Sequence, residues 1–234
     1  ADDLALIAGR NIGTASGAAA IDTNVTTLAA SAGNAAAGSI FIREAIAGGG
    51  LTVGQVVTGL SGTPTATGAV ANTSDGTVDI RTLDGAITIT QVVTAAGTGN
   101  VILDAADDGS NATHDIDIRA NITAVAAGGD VHLRADNAIT RTTGAGTVGG
   151  DSVFFEATAG VGTSGNVIVT SAATLGVSAG GDVFIDEAAA GTDLTVGRVN
   201  DLIGATTFDG IATSTDSVTL RLLADGGTLT VADT

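Results

Sequence analysis

Cysteine, lysine, methionine, tryptophan and tyrosine are all absent from the 234 residues, and proline occurs once, at Pro64. Without cysteine there are no disulfides, thiol nucleophiles or thiolate metal sites. Without lysine there is no Schiff-base chemistry, no P-loop lysine and no lysine–asparagine isopeptide cross-link. The eight basic residues are all arginines (Arg10, Arg43, Arg81, Arg119, Arg134, Arg141, Arg198 and Arg221), set against 25 acidic residues for a net charge of −17. So acidic a chain repels phosphate backbones, and scattered arginines make no basic patch, so nucleic acid is not an expected partner. Long hydrophobic runs are missing too. The longest uncharged stretch, Ala45 to Ser74, is rich in Gly and Thr and contains Pro64, so no membrane insertion is expected. The lack of cysteine fits a secreted chain that avoids stray oxidation and fits many cytosolic chains nearly as well; the repeats favour an extracellular or cell-surface place, and the opening ADDLAL reads as a mature or excised segment.

What is present is repetition. A small polar residue, an aliphatic residue, a variable residue and a second apolar residue recur from end to end. The copies are Asp3-Leu4-Ala5-Leu6, Ser39-Ile40-Phe41-Ile42, Thr77-Val78-Asp79-Ile80, Asn100-Val101-Ile102-Leu103 and Asp115-Ile116-Asp117-Ile118. They continue as Asp130-Val131-His132-Leu133, Ser152-Val153-Phe154-Phe155, Asn166-Val167-Ile168-Val169, Asp182-Val183-Phe184-Ile185 and Ser217-Val218-Thr219-Leu220. Gly followed by Asp, Asn or Ser supplies the positive φ and the side-chain-to-backbone bond of a tight turn. The apolar–variable–apolar triplet that follows is a short strand with one buried face. A helix is excluded because the apolar residues alternate instead of recurring at three and four.

The steps between Leu4, Ile40, Val78, Ile116, Val153, Val183 and Val218 are 36, 38, 38, 37, 30 and 35 residues, and copies at Val101, Val131 and Val167 subdivide them. This predicts coils of about 18 residues, hence about 12 or 13 coils stacked at ~4.8 Å into a rod on the order of 60 Å. The expected fold is all-β: a parallel β-helix, or β-solenoid, right-handed because parallel crossovers almost always are. A longer echo is superimposed. DDLALIAGRNIGT from Asp2 matches DSVFFEATAGVGT from Asp151, and IFIREAIAGGGLTVGQV from Ile40 matches VFIDEAAAGTDLTVGRV from Val183. The chain is therefore expected to be one solenoid domain, 1–234, in which 1–150 and 151–234 are related larger units. Neither end reads as capped, so end-to-end contact with adjoining repeats or other copies is expected.

GGDVHLRADNAIT from Gly128 and GGDVFIDEAAAGTDLTVG from Gly180 resemble the repeats of large bacterial surface proteins, of the filamentous-haemagglutinin and autotransporter types. The resemblance implies a right-handed parallel β-helix, export across the envelope, and a role in adhesion, surface layers or fibres. The N-terminal secretion domain of such proteins has no match here.

Candidate sites follow from the repeat. Asp115, Asp130 and Asp182 hold the polar-first position and could stack into a carboxylate ladder for Ca²⁺, with Asp107 and Asp108 in the loop AADDGSN as a second candidate. The competing reading is turn capping, since Asp, Asn, Ser and Thr interchange there, and no other cofactor is expected. A fifteen-residue offset would lay DIDIR over DVHLR, placing Asp117 beside His132 and Arg119 near Arg134. Phe41, Phe154 and Phe184 occupy the variable, outward slot, which points to contact with a neighbouring rod or a covering loop. Sequons at Asn24, Asn72, Asn111 and Asn121 matter only if the source glycosylates. No catalytic constellation stands out. The expected function is a non-catalytic structural solenoid extending a filament, surface layer or adhesin shaft through end-to-end and lateral contacts, with surface glycans as a further partner. The alternative is a polysaccharide-active β-helix lyase or hydrolase, which would need clustered carboxylates in one groove.

Overall fold

The computed structural model describes residues 2–16, 19–33, 37–45, 49–57, 65–72, 75–106, 114–125, 128–142, 146–188, 193–214, 216–223 and 227–232. Among them the protein is all-β: 21 strands join one sheet whose pairings are parallel, and two short antiparallel hairpins stand apart. No helix is long and apolar enough to cross a membrane among the described residues.

Alternation builds the strands. In Ile40–Glu44 and Val131–Ala135 the first and third residues are buried, and their aliphatic side chains form a single core with Val78, Ile80, Val101, Leu103 and Val153. The strands stack in register. Ile12 meets Ile40, Ile40 meets Val78, and the column continues through Val101, Val131, Val153, Leu175 and Val196 to Val231. That is nine levels, separated by 21 to 38 residues of chain. The expected coil of about 18 residues, and with it the expected 12 or 13 levels, is thus too short and too many. Spacing along the chain counted motif copies that lie side by side on one level as if each were a separate level. Nine levels at ~4.8 Å make a ladder about 40 Å long. One copy also slips in phase: Ile168 and Thr170 are buried in the strand Ile168–Ala179, and Val167 precedes it.

The polar-first residues cap the ladder. Asn11 Oδ1 accepts from Ser39 N (2.9 Å), Ser39 Oγ from Thr77 N (3.1 Å), Asn100 Oδ1 from Asp130 N (2.9 Å) and Asp130 Oδ1 from Ser152 N (3.1 Å). Each side chain satisfies the backbone of the next level, at a turn where no strand partner is available.

The same local arrangement occurs twice, about 145 residues apart. Ile12 O and Val161 O each accept from the N–H of an outward phenylalanine, Phe41 and Phe184, at 2.8 Å. Gly13 and Gly162, next in sequence, have φ of 74° and 71°, where a side chain would also strike the phenylalanine carbonyl. Glu44 accepts from Thr23 Oγ1 (2.7 Å) and Val25 N (3.0 Å), and Glu187 from Thr170 Oγ1 (2.8 Å) and Ala172 N (3.2 Å). Both hairpins interrupt a level at the matching place. Gln55–Val56 with Ala66–Thr67 leaves after Leu51–Val53, and Arg198–Asp201 with Thr206–Asp209 leaves after Leu194–Val196.

Candidate functional site

The outward slots of the main column form two parallel files of side chains. The first runs Phe41, Asp79, Ile102, His132, Phe154 and Gly176; the second runs Arg43, Arg81, Asp104, Arg134, Glu156 and Ser178. Strand register alone places them about 4.8 Å apart up the ladder.

The second file is a run of interleaved charges. Asp104 is fully buried and receives a two-pronged bond from Arg134, Nε at 2.9 Å and Nη2 at 2.7 Å, with Arg81 Nη1 at 3.6 Å on its other side. Arg81 also forks onto Asp79 of its own strand, at 2.8 and 3.0 Å. Burial pushes the Asp104 carboxyl up from its ordinary value, against the pull of the Arg134 fork, the Ala106 N–H and Arg81. Burial works on Arg134 in the opposite sense, yet its bonds to Asp104 and the charge of Glu156 leave it above its ordinary value. The paired N–H···O geometry is that of a carboxylate with a guanidinium, and we read the pair as ionised.

The first file is covered in its upper part by the chain itself. Val199 of the second hairpin lies on Gly176, where a Cβ would fall inside contact distance of the Val199 methyl. Phe208 stacks on Phe154 at 4.9 Å between ring centroids, and Phe154 in turn meets His132 at 4.5 Å. Phe154 is consequently 3% exposed, and the reading of it as a solvent-facing residue is corrected: an insertion about 45 residues further along the chain folds back over it. Phe41 and Phe184 remain half-buried in outward slots.

His132 is fully buried. Its Nε2 lies 3.6 Å from Glu156 Oε2 and its Nδ1 3.6 Å from Asp201 Oδ1, and neither nitrogen has a hydrogen-bond partner. Asp201 is anchored in the hairpin turn, its Oδ1 accepting from Ile203 N (3.0 Å) and Gly204 N (2.7 Å) and its Oδ2 from Thr206 Oγ1 (3.1 Å). Burial pushes Asp201 up, but those bonds and the nearby imidazole hold its carboxyl below the ordinary carboxylate value. Asp117 is not the neighbour of His132. It pairs in register with Thr88 and Thr140 on another column and bonds Arg119 and Thr142. Arg119 is likewise far in register from Arg134. The fifteen-residue offset fails because the level after Val101–Ala105 is Val131–Ala135, 30 residues on.

The three described carboxylates of the calcium reading do not form one ladder. Asp130 caps the main column, where its Oδ1 accepts from Ser152 N; Asp115 caps Ala138 N and Asp182 caps Ser217 N on a second column. On that column the levels of Ala138 and Gly160 come between Asp115 and Asp182. Their oxygens are used as turn acceptors. Among the described residues no group of three or more His, Cys, Asp or Glu side chains is placed to hold a metal ion. Asp107, Asp108 and Asn111 lie outside the described residues. Asn24, Asn72 and Asn121 are exposed, though Asn121 Oδ1 accepts from Thr147 N and Asn72 Nδ2 donates to Ser31 Oγ.

Sequence reasoning missed the buried glutamates, the Asp104–Arg134 fork and the hairpins. For Glu44 and Glu187 a signal existed: each sits at the buried phase of its strand, two residues after an inward isoleucine, in both halves of the long echo. No family model, curated protein or solved structure matches the chain.

Proposed function

We propose that the chain is a right-handed parallel β-helix and serves as a non-catalytic structural element. In this reading it extends a filament, surface layer or adhesin shaft of an exported, cell-surface protein. The observation that carries this reading is the ladder itself: nine parallel levels on one aliphatic core, with one set of buried glutamates, positive-φ glycines and hairpins used twice. Architecture repeated in register adds length without adding a new kind of site.

The surfaces fit end-to-end growth. An open apolar hollow of about 570 Å³ is lined by Val196, Ile211, Val218, Leu220, Leu229 and Val231. The matching positions of the first unit, among them Val53, Ala69, Val78 and Ile87, are fully buried because another level covers them. A further level, from an adjoining repeat or a second copy, fills the hollow in the same way. Phe41 and Phe184 offer lateral contact between rods, with surface glycans as a further partner.

Electron microscopy of the purified chain tests the reading. Rods or sheets longer than one ladder support it. Separate particles that depolymerise an acidic glycan overturn it in favour of a polysaccharide-active β-helix enzyme.

A further inference from the structure

Among the described residues, His132 has both side-chain nitrogens buried without a hydrogen-bond partner. It belongs to the strand Val131–Ala135 of the first unit, while the hairpin above it belongs to the second. Asn200 of that hairpin donates to Asp130 Oδ2 at 3.2 Å, on the same level as His132. Val199 and Phe208 rest on Gly176 and Phe154, the first two levels of the second unit. The hairpin therefore spans three levels and crosses the join between the units.

The chemistry of the join depends on one ring. A neutral imidazole has one N–H donor and one acceptor lone pair. Here both ring nitrogens face carboxylate oxygens, Glu156 from the ladder and Asp201 from the hairpin, at 3.6 Å. A neutral ring can satisfy one of them and must point a lone pair at the other. Only the imidazolium presents a donor to each side, and a charge-assisted pair closes to about 2.8 Å. The other charged groups around the ring are committed elsewhere. Arg134, on the same strand, forks onto Asp104 of the strand beneath; Asp130 caps Ser152 and binds Asn200; Arg198 of the hairpin pairs with Asp209 at 2.8 Å. The remaining neighbours of the ring in its file, Ile102 and Phe154, carry no charge.

We propose that the hairpin 198–209 is a staple across the join between the two units, and that His132 is its latch, engaged when the imidazole carries both protons. In mild acid the imidazolium draws Glu156 and Asp201 onto its two nitrogens and holds the hairpin down. At higher pH the hairpin rests on the Val199 and Phe208 contacts and the Asn200–Asp130 bond, and opens more often. The join stiffens as the ring takes up its second proton.

Hydrogen exchange of the whole chain, with rates corrected for the intrinsic effect of pH, tests the staple. Protection of the 198–209 backbone is expected to rise at least about tenfold from about pH 8 to about pH 5, while the core strand Val101–Ala105 stays unchanged. In His132→Gln the hairpin should show no such rise. A flat wild-type profile, or the same rise in His132→Gln, overturns the proposal. Should His132→Gln fail to fold, Asp201→Asn decides, since its side-chain oxygen still accepts the Ile203 and Gly204 N–H groups. Loss of most of the rise in that variant supports the latch, and an undiminished rise overturns it. In the wild type, a long-range ¹H–¹⁵N spectrum should show both His132 nitrogens protonated at the acid end of the range. A ring that keeps one bare nitrogen there also overturns it.

Discussion

A carboxylate at the buried phase of a strand is costly to desolvate unless donors meet it, and Glu187 is met by the Thr170 hydroxyl and the Ala172 N–H. Replacing it tests which part of that arrangement matters. Glu187→Gln keeps an acceptor and should cost little, whereas Glu187→Leu strands two donors and should cost about 2–5 kcal/mol in urea denaturation. The same ordering is expected for Glu44. Asp104 is the ionic counterpart. Asp104→Ala leaves the partly exposed Arg134 without its two-pronged acceptor and should destabilise by roughly 1–3 kcal/mol. Gly176 acts through absence: a methyl there meets Val199. Gly176→Ala should lift the hairpin at a cost of about 1–3 kcal/mol, read as faster exchange in 198–209 with the strand ladder unchanged.

At the scale of elements, strand alternation was readable from residues alone, because a buried face writes period two into Ile40-Phe41-Ile42 as plainly as into Val183-Phe184-Ile185. The pairing of strands was not readable. Whether Val101–Ala105 stacks on Val131–Ala135 depends on how much chain the loops between them absorb, and loop length leaves no periodic mark. The hairpins escaped for a related reason. LTVGQV and LTVGRV match as copies, but nothing in them distinguishes a strand that continues from one that doubles back after its glycine. Hence nothing in the residues signals the cover over Phe154 and His132, and the variable slot of Phe154 reads as outward. The hairpin has an acid limit as well as a latch. Asp201 is held below its ordinary carboxylate value, so its contribution is fully present above about pH 4 and is lost as pH falls through its lower folded value. Hairpin protection should therefore be bell-shaped in pH, falling again once the pH is well below the ordinary carboxylate range, and Asp201→Asn should remove that acid limb.

The molecule as a whole sets a repulsive charge against a sticky architecture. A net charge of −17 keeps separate copies apart, while stacked strands and the apolar hollow favour joining. Salt tips the balance: raising ionic strength from about 0.01 to 0.15 M shortens the screening length from ~30 to ~8 Å. Light scattering of the proposed structural chain should grow over that range if its copies associate. The route of association can then be separated by position. Phe154 is covered by its own hairpin, so the proposed lateral contact would rest on Phe41 and Phe184, which occupy matching outward slots above Gly13 and Gly162. They stand on different columns of the ladder, Phe41 in the file of Asp79 and Ile102 and Phe184 beside Thr219, so each serves a separate lateral contact. Phe41→Thr with Phe184→Thr should abolish side-by-side association in electron micrographs and leave rod length unaltered, since both residues lie off the core column. Shorter rods with lateral bundles intact would place these phenylalanines in end-to-end growth, and unchanged bundles would remove them from assembly altogether.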